Sequence, residues 1–329
     1  MDPRAEAWYR RRTSHWTDWP LARLLDRKQQ TGITISVVIP AKNEERTVAG
    51  VVGPLVQALV SDEPLVDELV VIDSDSTDAT GQAASAAGAI VHRARDIAPA
   101  SGAYQGKGEA LWKSLLITRG DVLVFVDVDL TRWGPHFVTG LLGPMLADPE
   151  VQLVKGFYDR LRTEADGCVS TEGGRVTELV ARPMLSLWWP HLAGVVQPLA
   201  GEWAARRSLM ESLSIPVGYG VELSTLLDTV GRHGLDALAQ VDLGSRAHRH
   251  QANHDLAVMA AELLALAENR RSGPHRLIGD VTLEQFVRAG DQVVQRSRPV
   301  PTLERPPASS VAAAGRGGRL GDVPRAPAR

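Results

Sequence analysis

Two aspartates one residue apart, Asp127-Val128-Asp129, close the apolar run from Val122 to Val126. Side chains alternate along an extended chain, so both carboxylates project to one side. At the carboxyl end of a strand they stand where open α/β sheets bind ligands. A carboxylate pair with little nearby to neutralise it suits a hard divalent cation bridging to a diphosphate. Two further polar clusters follow other apolar runs. Pro40-Ala41-Lys42-Asn43-Glu44 comes after Ile33 to Ile39, and Asp73-Ser74-Asp75-Ser76-Thr77-Asp78 comes after Glu68 to Ile72. Proline stops a ladder, and the amide and carboxylate beyond it can read the imide edge of a uracil or a ribose hydroxyl. Asp73 and Ser74 add a carboxylate and a hydroxyl to the same rim. One such cluster is an ordinary strand–turn–helix; three at consecutive strand ends point to a ligand site.

Other residues carry charge to that rim. Lys107 lies between Gly106 and Gly108 at the start of a helical pattern, the dipole end that disfavours cations, which hints at an anionic ligand there. Gly173-Gly174-Arg175-Val176-Thr177 opens another helix. Its glycines let backbone N–H groups approach an anion, and Arg175 and Thr177 supply further donors, a phosphate cradle without the Lys-Ser/Thr of a P-loop. Glu222, in Gly218-Tyr219-Gly220-Val221-Glu222, can serve as nucleophile, base or hydroxyl acceptor. His248 follows a strand and is flanked by Arg246 and Arg249.

The elements that must position these groups alternate between β-rich runs and helical spacing, which indicates an α/β fold with a mostly parallel sheet. Strands are expected at 33–39, 68–72, 89–92, 121–126, 151–157 and 238–243, and helices from about Asn43 through 51–59 and at 79–87, 107–118, 175–187, 223–233, 255–268 and 283–294. The 329 residues divide into an N-terminal extension (1–30), a nucleotide-binding half (31–160), an acceptor-binding half (161–298) and a tail (299–329). The extension's Trp8, Tyr9, Trp16 and Trp19 are expected to pack on the body or on a second subunit, which favours a homodimer. The tail, rich in Pro, Ala, Gly and Arg, reads as disordered.

Hydrophobic residues at 44% and charged residues at 23% are those of a soluble globular chain, and a net charge of -3 gives no reason to expect nucleic acid. The single Cys168 excludes an intrachain disulfide and a multi-cysteine zinc site. No apolar run is long enough for a membrane span and the start lacks a signal peptide's apolar core, so a cytoplasmic location is expected.

The order P-A-x-N-E, D-S-x-S-x-D, D-x-D resembles the GT-A fold of nucleotide-sugar glycosyltransferases. Five further segments narrow the resemblance: Gly106 to Trp112, Gly173 to Leu179, Gln197-Pro198-Leu199-Ala200-Gly201-Glu202, Gly218 to Glu222, and Arg246 to Arg249. Together they resemble the glucosyl-3-phosphoglycerate synthases, retaining enzymes of methylglucose lipopolysaccharide and glucosylglycerate synthesis whose relatives include mannosyl-3-phosphoglycerate synthases. The similarity runs from about residue 33 to about 255. It implies a nucleotide sugar, UDP-glucose foremost, as donor and 3-phosphoglycerate as acceptor, with Mg²⁺ or Mn²⁺ as cofactor. Pro40, Glu44, Ser74, Lys107 and the Asp127/Asp129 pair would form the donor site, with Asp129 and His248 on the metal. Gly174, Arg175 and Thr177 would hold the acceptor's phosphate, with Tyr219 nearby. Glu222 would bond sugar hydroxyls, and Leu199 would offer its carbonyl near the reacting hydroxyl. The family commonly has Asn two residues after the histidine; here His250 stands at that acceptor-side position. It often has an apolar residue where Lys42 stands, so Lys42 is expected to act through its backbone or point away. With no carboxylate placed as a covalent nucleophile, a front-face transfer is the expected course. GDP-mannose as donor and polyprenyl phosphate as acceptor are the competing readings.

Overall fold

A computed structural model describes residues 1–163, 169–170, 174–247, 253–272, 281–289 and 292–311. The chain opens with α1 (Pro3–Arg12), the short strand β1 (Thr13–His15) and α2 (Leu21–Thr31). There follow β2 (Ile35–Ala41), α3 (Val48–Leu55), β3 (Glu68–Asp73), α4 (Thr80–Ala86) and β4 (Ile90–Arg93). Next come α5 (Lys107–Leu115), β5 (Val122–Phe125), α6 (His136–Ala147), β6 (Leu153–Thr163) and β7 (Val169–Ser170). The second half holds α7 (Arg182–Trp188), β8 (Trp203–Arg206), α8 (Arg207–Ser212), β9 (Ile215–Pro216), α9 (Val221–His233) and β10 (Leu238–Ala247). It ends with α10 (Asn253–Ser272), β11 (Val281–Ala289), β12 (Gln292–Val300) and β13 (Glu304–Arg305).

One sheet runs in the order β1-β10-β6-β8-β5-β2-β3-β4, with β7 beside β6. Its main path is parallel except at β8, which pairs antiparallel with both β5 and β6. Both faces are covered, which is why β2, β3 and β5 read as unbroken apolar runs rather than alternating ones. Val37, Ile39, Val71 and Val124 face one core with α2, α3 and α6. Val38, Val70, Ile72, Leu123 and Phe125 face the other with α5, α9 and α10. A cut at residue 160 falls inside β6, so the two halves read from the sequence are regions of one sheet.

Three expectations change, and one open alternative is decided. Pro40 does not stop its strand: β2 continues to Ala41 with Pro40 opposite Ile72. The ladder with β5 has already ended at Val38↔Phe125, where a missing N–H is tolerated. The segment 283–294 is not a helix but most of an antiparallel hairpin, β11 on β12, paired from Val281↔Val300 to Ala289↔Gln292. Its β-branched residues, Val281, Thr282, Val287, Val293 and Val294, override a helical apolar spacing. The extension packs on its own body. Trp8 is fully buried and its indole donates to the Leu238 carbonyl at 2.8 Å, β1 pairs with β10, and Trp16 and Trp19 lie against the core. Finally, the start of the expected tail is built into the fold: β13 pairs with β9, and Arg305 and Ala308 are buried.

Candidate active site

β2, β3 and β5 deliver their polar clusters to one end of the sheet, and hydrogen bonds between loops tie them together. Beyond β2, Asn43 adopts φ 56°, accepts from Thr77 N–H at 2.9 Å, and donates its own N–H to Ser76 Oγ at 2.9 Å. Asp73, buried at the end of β3, accepts from Ser76 N–H at 2.8 Å, and Ser74 N–H donates to the Ala41 carbonyl at 2.8 Å. Glu44 closes the same junction: its N–H donates to Thr80 Oγ1 at 2.7 Å and its carboxylate accepts from Thr47 Oγ1 at 2.6 Å. Pro40, Glu44 and Ser74 are therefore half-buried members of one rim. Lys42 is exposed and its ammonium donates to Gln105 Oε1 at 3.3 Å, two residues before Lys107.

The charged centre lies beside that rim. Lys107 Nζ stands 2.6 Å from Asp127 Oδ1 and 2.6 Å from Glu222 Oε1, so the helix start of α5, the D-x-D after β5 and the first turn of α9 meet at one ammonium. Burial alone disfavours this cation, yet its two carboxylate neighbours hold its pKa well above the ordinary range. At Asp129 it is the charged form that is disfavoured. Burial, then the negative charge of Asp127, raise its carboxyl above the usual range, with Arg246 opposing. Arg246, at the end of β10, donates to Glu202 Oε1 at 2.7 Å and lies 3.9 Å from Asp127 Oδ2. Tyr158 donates its hydroxyl to the other Glu202 oxygen at 2.6 Å, with the Arg246 guanidinium 4.6 Å from its ring centre.

The turn from Gln197 to Glu202 runs along this centre. A Cβ on Gly201 would fall 2.0 Å from Asp127 Oδ2, so only glycine lets the turn pass the D-x-D. Lys155, in β6, donates to the Ala200 carbonyl at 2.7 Å, one residue from Leu199. Burial brings its pKa down from the ordinary 10.5 to about 7. On the opposite wall Tyr219 N–H donates to Glu262 of α10 at 2.7 Å and leaves the phenol half exposed. Arg175 begins a helix whose first carbonyl, at Gly174 (φ 81°), accepts from Glu178 N–H at 2.9 Å. Thr177 is buried there, and Val176 joins the apolar layer that contains Val221 and Leu263 of α9 and α10. Gly173, His248 and His250 lie outside the described residues.

Residues 36–166 match the model of glycosyl transferase family 2. Over 304 residues the chain is 45% identical to the glucosyl-3-phosphoglycerate synthase of Mycobacterium tuberculosis (strain ATCC 25618 / H37Rv), covering 90% of each sequence. It is 44% identical over 250 residues to the synthase of Petrotoga mobilis (strain DSM 10674 / SJ95), covering 76% of this chain and 77% of that protein. The chain belongs to the glucosyl-3-phosphoglycerate synthase family. Solved structures agree. The M. tuberculosis synthase in complex with Mn²⁺, UDP and phosphoglyceric acid superposes with a TM-score of 0.80 at 43% identity, over 89% of this chain and 95% of that one. The same synthase with Mg²⁺ and UDP gives 0.81 at 44% identity, over 91% and 99%.

Among the described residues no group of three His, Cys, Asp or Glu is arranged around a metal position. What the described part does show is one carboxylate, Asp129, whose charge is disfavoured by burial and by Asp127 beside it, a cost that a divalent cation relieves. That donor fits Mg²⁺ or Mn²⁺. The site also holds residues not singled out from the sequence: Lys155, Tyr158, Glu202 and Glu262. A lysine inside the apolar run Leu153 to Phe157 was the available signal for the first. Glu202 lay within a motif already noted, but its partners come from β6 and β10 and cannot be read from local spacing.

Proposed function

We propose that the chain transfers glucose from UDP-glucose to the 2-hydroxyl of 3-phosphoglycerate with retention, dependent on Mg²⁺ or Mn²⁺, giving glucosyl-3-phosphoglycerate and UDP. The observation that carries this is the meeting of Lys107, Asp127 and Glu222 at one end of the sheet in a chain that aligns nearly end to end with the synthases. Solved relatives contain UDP-glucose with Mn²⁺, and UDP with glucosyl-3-phosphoglycerate and Mn²⁺.

In this reading the linked loops around Pro40, Glu44 and Ser74 receive the nucleoside, and Asp127 with Lys107 faces the diphosphate. Asp129 and His248 would hold the divalent cation. When bound, it supplies Lewis-acid charge against the diphosphate that leaves. Lys107 adds a positive charge at the same place, held by its two carboxylate neighbours. Glu222 orients the glucose through its hydroxyls, and the Leu199 carbonyl accepts from the attacking hydroxyl. The bond from the glucose anomeric carbon to the diphosphate oxygen breaks and the bond to the glycerate oxygen forms on the same face. The hydroxyl proton passes to the departing diphosphate. Gly174, Arg175 and Thr177 hold the acceptor's phosphate, with Tyr219 and His250 beside it.

A homodimer also belongs to this reading, but its surface is the β11–β12 hairpin rather than the N-terminal arm. Phe286, Val293 and Val294 are 66%, 60% and 40% exposed on two strands that carry apolar side chains into solvent.

Release of the nucleoside diphosphate by purified protein, with Mg²⁺ or Mn²⁺, 3-phosphoglycerate and in turn UDP-glucose, GDP-glucose or GDP-mannose, tests the assignment. Release with UDP-glucose that requires 3-phosphoglycerate, with D-glycerate inactive, is the expected result. Preference for GDP-mannose would transfer the assignment to the mannosyl reaction, and release without 3-phosphoglycerate would remove the acceptor.

A further inference from the structure

β13 is remote in sequence from every residue assigned to the reaction, yet its Arg305 is 5% exposed beside the helix that carries the donor-site lysine. Its Nε and Nη2 donate to the two oxygens of Glu109 at 2.6 and 2.5 Å. Nη1 and Nη2 also reach the carbonyls of Ser101 at 2.6 Å and Gly102 at 3.1 Å, in the loop that leads into α5. The guanidinium lies 4.5 Å from the ring centre of Tyr104 and 4.6 Å from that of Trp112. Glu109, 1% exposed, is two residues beyond Lys107.

The same segment grips the opposite wall. Glu304 and Arg305 pair with Pro216 and Ile215, and the Leu303 carbonyl accepts from Val217 N–H at 3.0 Å. Val217 in turn accepts from Glu109 N–H at 3.0 Å, and Gly218 accepts from Gly108 N–H at 3.1 Å. The Trp112 indole donates to the Pro306 carbonyl at 2.8 Å. Residues 303–306 therefore hold both the start of α5 and the strand that leads into the Tyr219–Glu222 turn.

We infer that Arg305 is a positioning residue of the donor site: its two-point hold on Glu109 fixes the first turn of α5, so that Lys107 Nζ stays between Asp127 and Glu222. Such a hold is needed because Lys107 stands between two glycines, one of them at φ 139°, and brings a flexible stem of its own. The fork of Arg on a carboxylate fixes both distance and plane, whereas lysine in its place keeps the charge and loses the plane. The inference rests on reading the Lys107 centre as a nucleoside diphosphate site.

Arg305→Lys and Glu109→Gln, checked for fold by circular dichroism and thermal unfolding, are to be compared with the unaltered chain. The readouts are calorimetric binding of UDP with Mn²⁺ and steady-state kinetics in both substrates. The expected result is a folded Arg305→Lys protein whose UDP Kd and KM for UDP-glucose rise about tenfold while KM for 3-phosphoglycerate moves less than about twofold. Glu109→Gln should show the same donor-side defect, and the double variant should be no worse than the worse single one. Should Arg305→Lys fail to fold, Glu109→Gln alone carries the test, since it keeps the shape of the side chain. Unchanged UDP affinity in the folded variant overturns the inference. So does a fall in kcat with both KM values intact, the mark of a smaller active fraction. UDP binding by the unaltered chain does not depend on the acceptor, so a wrong acceptor assignment would show separately, as UDP bound without transfer to 3-phosphoglycerate.

Discussion

A lysine between two carboxylates is in most proteins a neutralised structural contact. At Lys107 the same contact gathers three strand and helix ends, and one of its partners belongs to a D-x-D whose second member, Asp129, is left with its charge disfavoured. Asp129→Ala should leave the fold intact and lower kcat by about a thousandfold, roughly 4 kcal/mol of barrier, with loss of metal-dependent UDP binding. Retention of Mn²⁺-dependent UDP affinity in that variant would remove the metal assignment. Arg175→Ala should act on the other substrate. Loss of a charge-assisted bond to phosphate costs about 1.5–3 kcal/mol, so KM for 3-phosphoglycerate should rise roughly 10- to 150-fold with the donor's little changed. A donor-side effect instead would exchange the two subsites. Lys155 carries a pH signature. Its pKa is brought from 10.5 in the unfolded chain to about 7, so between those values the folded state binds fewer protons than the unfolded one. Stability must therefore climb as pH rises from about 7 towards 10 through this residue. Thermal unfolding of Lys155→Met, compared with the unaltered chain from pH 6.5 to 9.5, should lack that component; parallel profiles would refute it.

At the scale of elements, the strands that lead to the site were legible because they are buried on both faces and so are continuously apolar, as Val122 to Val126 shows. The turns beyond them were legible from polar residue types alone. Elements whose evidence is not local were harder. α6 contains Gly140, Gly143 and Pro144, poor helix formers, and holds together because Phe137, Leu141, Leu142 and Met145 are buried in the core. The hairpin β11–β12 was misread because a short apolar run fits either period. Arg305 gave no local signal at all, since its partner Glu109 is nearly two hundred residues away. The N-terminal arm belongs to this scale too. Trp8 is enclosed and hydrogen-bonded to β10, so Trp8→Ala should cost about 3–5 kcal/mol, read as a lower denaturation midpoint. A change below about 1 kcal/mol would show that the arm is only lightly attached.

For the molecule as a whole, β8 runs against its neighbours and joins the nucleotide-side strands to β6 and β10. The two halves of the chain thereby share a single sheet, and no helix among the described residues is long and apolar enough to cross a membrane. In the proposed homodimer the exposed hairpin is the interface. Phe286→Asp with Val293→Asp should convert a dimer to a monomer in light scattering after gel filtration while leaving the circular dichroism spectrum unchanged. A dimer that survives both changes would place the interface elsewhere.

The way the loops are joined has a consequence for altering specificity. Around Asn43, Glu45 and Ser76 the links are made by side chains, each replaceable by another group of similar reach. Between α5 and β9 they are backbone on backbone: a Cβ at Gly106 would fall 2.2 Å from the Val217 carbonyl oxygen, and one at Gly108 would fall 1.7 Å from that of Pro216. If the rim receives the base as proposed, variation in base preference has room to accumulate there. Lys107 and Glu222 are cast as one piece, so under the proposed function a change of hexose must be found in the groups that line that piece.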